Sequence, residues 1–332
     1  MSLTSLITTF TSFVNRKSVG RALGMLPTIL TQLRTQGGGV AVMPEITVVG
    51  TLILPRLNQA DIPRPVVRFP SNEVIEAYGP WFRSFTLRDE PNVTEMTFDD
   101  AEGATGITID NCNDLVEFSA PELMIVTGDF DIEGCNDLEV INVPSLVALS
   151  SDLRIDTNDS LVELSLPSLI QVSFYFTVSD NPDFTTLSVP VLEYIGDTLE
   201  ISYMGSITSL AFPALKRYDY SSIHGCDSLA SLSFPVIEHI GNFSCTLSAL
   251  TTLNFGSSIK RINAFEIYDS LLDEEAVDDI LAMLVSLDGT AGTTLFDGNV
   301  LLGGETAIPS MDGMANVAIL EGRGCSVSVN TP

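Results

Sequence analysis

The chain has 332 residues, 45% hydrophobic and only 17% charged, a composition that excludes intrinsic disorder and supplies apolar surface for a sizeable core. Its formal net charge is −28, yet residues 1–83 hold eight basic side chains against four acidic ones, so the acidity belongs to the rest of the chain. Such a body repels nucleic acid and anionic membrane, and no stretch reaches the ~18–20 apolar residues needed to cross a bilayer; neither partner is expected.

Residues 1–35 read as helical. Leu3, Leu6, Ile7, Phe10 and Phe13 recur at helical spacing, as do Val19, Leu23, Ile29 and Leu33, with Pro27 dividing the second segment. Gly37-Gly38-Gly39 forms a hinge, residues 40–54 read as strand, and the prolines at 55, 63, 65 and 70 make an extended connector. The charges Arg16 and Lys17 follow the first apolar segment rather than precede it. That is not the order of a secretory signal, so export by the general pathway is not expected.

From residue 84 the same unit recurs. Prolines stand at 121, 144, 167, 190, 213 and 235, spaced 22 or 23 residues apart, each in the same apolar frame. Leu115, Leu138, Leu161, Phe184, Ile207 and Leu229 lie six residues before them. A fixed period in the low twenties marks a solenoid, whose repeats bury their apolar sides only against each other. Alternating pairs mark one short strand per repeat: Phe85/Leu87, Ile107/Ile109, Phe130/Ile132, Leu153/Ile155, Phe176/Val178, Leu199/Ile201, Ser221/Ile223, Phe243/Cys245 and Phe265/Ile267. Three residues beyond each second strand position comes a further ladder, Cys112, Cys135, Asn158, Asn181, Met204 and Cys226. Asn at such a turn can bond interior backbone groups, and Cys fills the same small space.

The pattern Leu153-x-Ile155-x-x-Asn158-x-x-Leu161-x-x-Leu164-x-Leu166-Pro167-x-Leu169 resembles a leucine-rich repeat. It is most similar to the variants with a Cys or Asn ladder and to the receptor L-domain type. The resemblance covers about residues 85–270. It implies a mainly β fold, a right-handed parallel β-solenoid of about nine coils, each of 22–23 residues. Met204 in the ladder, Ser221 in a strand and Gly256 in place of a proline depart from the pattern.

Beyond Leu272 the period stops. Asp273-Glu274-Glu275 opens a helix with acidic residues in its first turn; Thr293–Phe296 reads as strand, Pro309–Leu320 as helix and Cys325–Val329 as a last strand. The order Ala276-Val277-x-x-Ile280-Leu281, a Gly-rich segment, then Leu320-x-x-Arg323-Gly324 is similar to C-terminal caps of leucine-rich-repeat-like tailed-phage structural proteins. Cys325 stands where such caps commonly have an aromatic residue. The expected domains are an N-terminal arm (1–83), a solenoid (84–271) and an α/β cap (272–332).

The outward strand positions form two columns. One runs Asp110, Glu133, Asp156, Ser179, Ser202, His224, and the other Thr108, Asp131, Arg154, Thr177, Glu200, Ser222. The carboxylates Asp110, Asp131, Glu133, Asp156 and Glu200 are the candidate ligand-binding surface. Asp110, Glu133 and Asp156, on successive coils, would stand about 5 Å apart, a spacing that also suits a hard cation such as calcium or a retaining glycosidase pair. The simpler reading is a solvated acidic face. The five cysteines include no CxxC pair, so zinc is not expected, and they read as buried thiols. Asn158 falls in a glycosylation sequon but also in the ladder, where it should be buried.

The solenoid, with no catalytic motif, leads to the expectation of a non-enzymatic interaction protein without a cofactor, and the cap resemblance implies that it is a virion protein, serving as head decoration, fibre or tail-associated component. Its arm, through Arg16, Lys17, Arg21 and Arg34, would dock on capsid or tail proteins. Its solenoid would face a host surface glycan or protein, and further copies of the chain are possible partners. The alternatives are a bacterial cell-surface adhesin and a polysaccharide depolymerase using the solenoid carboxylates.

Overall fold

The computed structural model describes residues 74–76, 81–82, 84–90, 92–98, 101–290 and 292–331. The helical segments, glycine hinge and strand expected over residues 1–54 lie outside the described residues, as do Arg16, Lys17, Arg21 and Arg34.

The chain folds as a parallel β-solenoid, each coil contributing to as many as three ladders. The long ladder begins with Phe85–Arg88, Ile107–Asp110, Phe130–Glu133, Leu153–Asp156, Phe176–Ser179 and Thr198–Ser202. It continues through Arg217–His224, His239–Thr246 and Ala264–Tyr268. A second ladder of two-residue strands runs from Trp81–Phe82 to Tyr194–Ile195. A third runs from Val74–Glu76 to Thr186–Ser188 and resumes over Ser209–Ala211, Ser231–Ser233 and Thr252–Asn254. Every one of these pairings is parallel, which a coil that always returns in the same direction requires.

Pairing reaches past both ends of the 84–271 segment. Val74–Glu76 and Trp81–Phe82 already pair with the first coil, and Val300–Gly303 and Val327–Val329 extend the long ladder into the cap. The strand expected over Thr293–Phe296 is absent. Thr294 and Phe296 donate only isolated backbone bonds, to Lys260 and Leu287, and the ladder strand falls at Val300–Gly303 instead.

The proline frame has a local cause. The Leu123 N–H donates to the Ala120 carbonyl at 3.1 Å, and the same bond recurs from Leu146, Leu169, Leu192, Leu215 and Ile237. Each proline is therefore the second residue of a β-turn, where its fixed φ is already correct and its missing N–H is not needed. Gly256 departs because its φ is +59°, closed to proline, and a Cβ there would lie 2.1 Å from the Pro235 carbonyl oxygen.

A left-handed residue ends most long-ladder strands: Asp89, Asn111, Gly134, Thr157, Asp180, Tyr203, Gly225 and Asp269. The interior ladder follows it. Asn158 Oδ1 accepts the Cys135 N–H at 3.1 Å, while its Nδ2 donates to the carbonyls of Ile132 and Asp156 at 3.1 and 3.0 Å. Cys112, Cys135 and Cys226 turn their thiols to the carbonyls two residues back, each at 3.5 Å. All five cysteines are free and buried, and burial pushes the Cys226 thiol up to about 11. Asn158 is fully buried, so its sequon cannot accept a glycan.

Ser221 also has a structural reason. Between Ile195 and Leu199 the corner has three intervening residues; between Tyr218 and Ser221 it has two, and the second and long ladders fuse into one strand, Arg217–His224. The fusion sets the fully buried Tyr218 ring beside Ser221, whose small side chain makes room for it.

In the cap, helix α1 (Glu274–Ser286) starts at Asp273, whose carboxylate accepts the Ala276 N–H at 2.9 Å. Helix α2 (Met311–Gly322) starts at Ser310, which is held by the Asp278 carboxylate of α1. Arg323 donates to the carbonyls of Leu287 and Val285, satisfying the C-terminal end of α1. Among the described residues no helix is long and apolar enough to cross a membrane.

Candidate functional site

Strand alternation puts every second long-ladder residue on an outward face, and the register aligns these residues into columns. Asp110, Glu133, Asp156, Ser179, Ser202 and His224 are successive rung partners. Thr108, Asp131, Arg154, Thr177, Glu200 and Ser222 form the neighbouring column. Sequence reading placed all twelve side chains in these columns. Asp110, Asp131, Glu133 and Asp156 lie on adjoining coils, whereas Glu200 is three rungs from Asp131, about 14 Å at the spacing of paired strands.

The early coils make an acidic half. Arg88 pairs with Asp110 at 3.4 Å, and Asp156 accepts the Ser179 hydroxyl. Asp131 is the exception, because its Oδ1 is buried without a hydrogen-bond partner. Burial pushes its pKa up to about 6; Arg154 opposes the shift, and Glu133, Asp129 and Asp110 add to it by repulsion. Among the described residues no group of three His, Cys, Asp or Glu side chains is placed to hold a metal ion, so the carboxylates form a row and not the calcium cage their spacing allowed.

The later coils make a different half. Thr177, Ser179 and Ser202 face outward but are buried, shaded by longer neighbours, and Ser222 and Ser244 continue the run of hydroxyls. Around them stand tyrosines that the sequence reading did not single out. Tyr175 immediately precedes the strand Phe176–Ser179, and Tyr220, inside Arg217–His224, pairs with Thr198; the Phe176–Leu199 register continued by one residue sets Tyr175 opposite Thr198, two rungs from Tyr220. Tyr268 lies two rungs beyond His224 in its column. Tyr203 occupies a left-handed position with its ring edge-on to His224 at 5.0 Å.

Among the described residues the exposed aromatic side chains are Phe174, Tyr175, Tyr203, Tyr220 and Tyr268, and all belong to this half or its border. Exposed tyrosines recurring at outward register positions, beside Ser and Thr, were the sequence signal that could have found them.

His224 also takes a hydrogen bond with Ser222, Nδ1 to Oγ at 3.2 Å. Among the described residues no carboxylate hydrogen-bonds its other nitrogen, so the pair lacks the orienting group of a nucleophile–base–acid relay.

Compared with known proteins, the chain has no matching family model, no matching curated protein and no matching solved structure.

Proposed function

We propose that the chain is a structural and interaction protein that displays the outward face of its long ladder to a partner. The observation that carries this reading is the columnar register: polar side chains are presented in straight rows at rung spacing, a shape suited to an extended ligand. The coil sequence and its Asn ladder support a leucine-rich-repeat relationship of the receptor L-domain type. The helix–Gly-rich–helix order, with Arg323 tying the end of α1, supports the relationship to caps of tailed-phage structural proteins. On that basis the setting is a virus particle, with the chain as head decoration, fibre or tail-associated protein and its basic arm on a capsid or tail protein.

The test is gradient sedimentation of particles from producing cells. The full-length chain should travel with the particles, and reversing Arg16, Lys17, Arg21 and Arg34 to Glu should release it. Fractionation with the cell envelope would favour the adhesin, and normal incorporation of the reversed variant would refute the anchoring role.

One observation favours a second reading. Asp131, with a pKa pushed up to about 6, stands two residues from Glu133 on the same outward strand face, and a raised carboxyl group beside a second carboxylate serves glycoside hydrolysis. A depolymerase would lose glycan cleavage on Asp131→Asn or Glu133→Gln; absence of cleavage by the unaltered protein removes the reading.

A further inference from the structure

We infer that the tyrosine and hydroxyl half of the outward face, coils 174–268, binds an extended neutral glycan. This deepens the display reading and rests on it.

The aromatic rings come first. Tyr175, Tyr203, Tyr220 and Tyr268 are between 40% and 54% exposed, and Phe174 beside Tyr175 is exposed as well, while the strand phenylalanines Phe176, Phe243 and Phe265 are fully buried in the interior. A tyrosine left on the surface presents an apolar ring face together with a wet hydroxyl. The C–H face of a pyranose is the complementary surface: flat, weakly positive and rimmed by hydroxyls.

The floor between the rings matches that rim. Thr177, Ser179 and Ser202 are buried and make its short, flat base, and the half-buried Ser222 and Ser244 carry hydroxyls with the same dual donor and acceptor capacity as a sugar hydroxyl. Asp180 and Glu200 add carboxylates that can accept two hydroxyls at once. Exposed tyrosines suit a protein partner as well, and it is the short serine-rich floor, of a kind depleted at protein-binding surfaces, that favours a glycan.

The spacing agrees with the composition. Rungs repeat at about 4.8 Å, close to the length of one pyranose in an extended chain, so Tyr175 and Tyr220 stand about 10 Å apart and under alternate sugars. Charge then narrows the class. A chain of net charge −28 repels uronates and sialylated chains and leaves neutral sugars as the ligand.

The experiment is calorimetric titration of the full-length protein with cellohexaose, chitohexaose, maltohexaose and mannohexaose, and with oligogalacturonate as the anionic control. At least one neutral hexasaccharide should bind with millimolar affinity or better, and oligogalacturonate should not. Tyr175→Ala and Tyr220→Ala should each weaken that binding about ten-fold, with an unchanged denaturation midpoint, whereas Tyr175→Phe should retain it because the ring face remains. Binding by none of the neutral sugars overturns the inference, as does full affinity in the Tyr175→Ala/Tyr220→Ala double variant. The outcome is separable from the particle reading: a chain that sediments with particles yet binds no glycan sinks this inference alone. A chain that binds glycan but never joins particles sinks the particle setting alone.

Discussion

Asn181 closes the turn of the coil beside it: its Oδ1 accepts the Asn158 N–H at 3.0 Å, and its Nδ2 donates to the carbonyls of Ile155 and Ser179. Three backbone groups in a fully buried turn thus depend on one side chain. Asn181→Ala should destabilise the protein by about 2–3 kcal/mol, measured by urea unfolding, because those groups are left unpaired away from water. Asn158→Cys should cost less than Asn158→Ala, since a thiol at this position still meets a carbonyl, as Cys112 and Cys135 do.

Tyr218 has the opposite sign. Its hydroxyl is fully buried and makes no hydrogen bond of good geometry, although the Ser221 Oγ, which accepts the Ser244 N–H at 3.2 Å, lies beside it. Tyr218→Phe keeps the ring and removes a buried hydroxyl that is poorly satisfied, so it should raise stability by about 1 kcal/mol. The check is a higher urea midpoint at unchanged slope.

Gly134 sits at a left-handed corner with φ +66°, where an added Cβ would meet Asn111 Oδ1 at 2.8 Å. Gly134→Ala should therefore destabilise by about 1–2 kcal/mol, from backbone strain before any clash. Thr157, with φ +55° and a β-branched side chain, is strained in the wild type. Thr157→Gly should be close to neutral or stabilising in the same assay.

Asp131 gives a pH signature. Its folded pKa of about 6 lies above the ordinary 3.8, so the folded chain holds this proton more tightly than the unfolded one. The stabilising effect of the proton is complete below the ordinary value and is lost as pH rises through about 6. Asp131→Asn should be more stable than wild type by about 1 kcal/mol at neutral pH, a figure discounted for the partial exposure of the group. The difference should shrink toward zero as the pH is lowered below the ordinary carboxylate range. Parallel urea titrations of both proteins across that range decide it.

The long ladder was legible in the sequence because its inward residues alternate over four positions and repeat in frame with the prolines. The second ladder was not. Strands such as Ile125–Val126 are two residues long and buried at both, so they carry no alternation. Val300–Gly303 escaped for the same reason, since Val300, Leu301 and Leu302 read as one apolar run. The strand fusion at Arg217–His224 depends on a single residue lost from a corner, visible in sequence only as a 22-residue step between Pro213 and Pro235. At the candidate site, charge drew attention to Asp131 and Glu133. The tyrosines were passed over because an isolated surface aromatic is unremarked until the register sets several in rows.

The parallel register has one more consequence, for length. Each rung of the long ladder is held by the rung on either side, and the last, Val327–Val329, is only three residues long. A strand that short offers little edge for another chain to extend. The long ladder is thus a ruler whose divisions are the coils. Adding or deleting one 23-residue unit would change its reach by one division and leave the remaining marks where they stand.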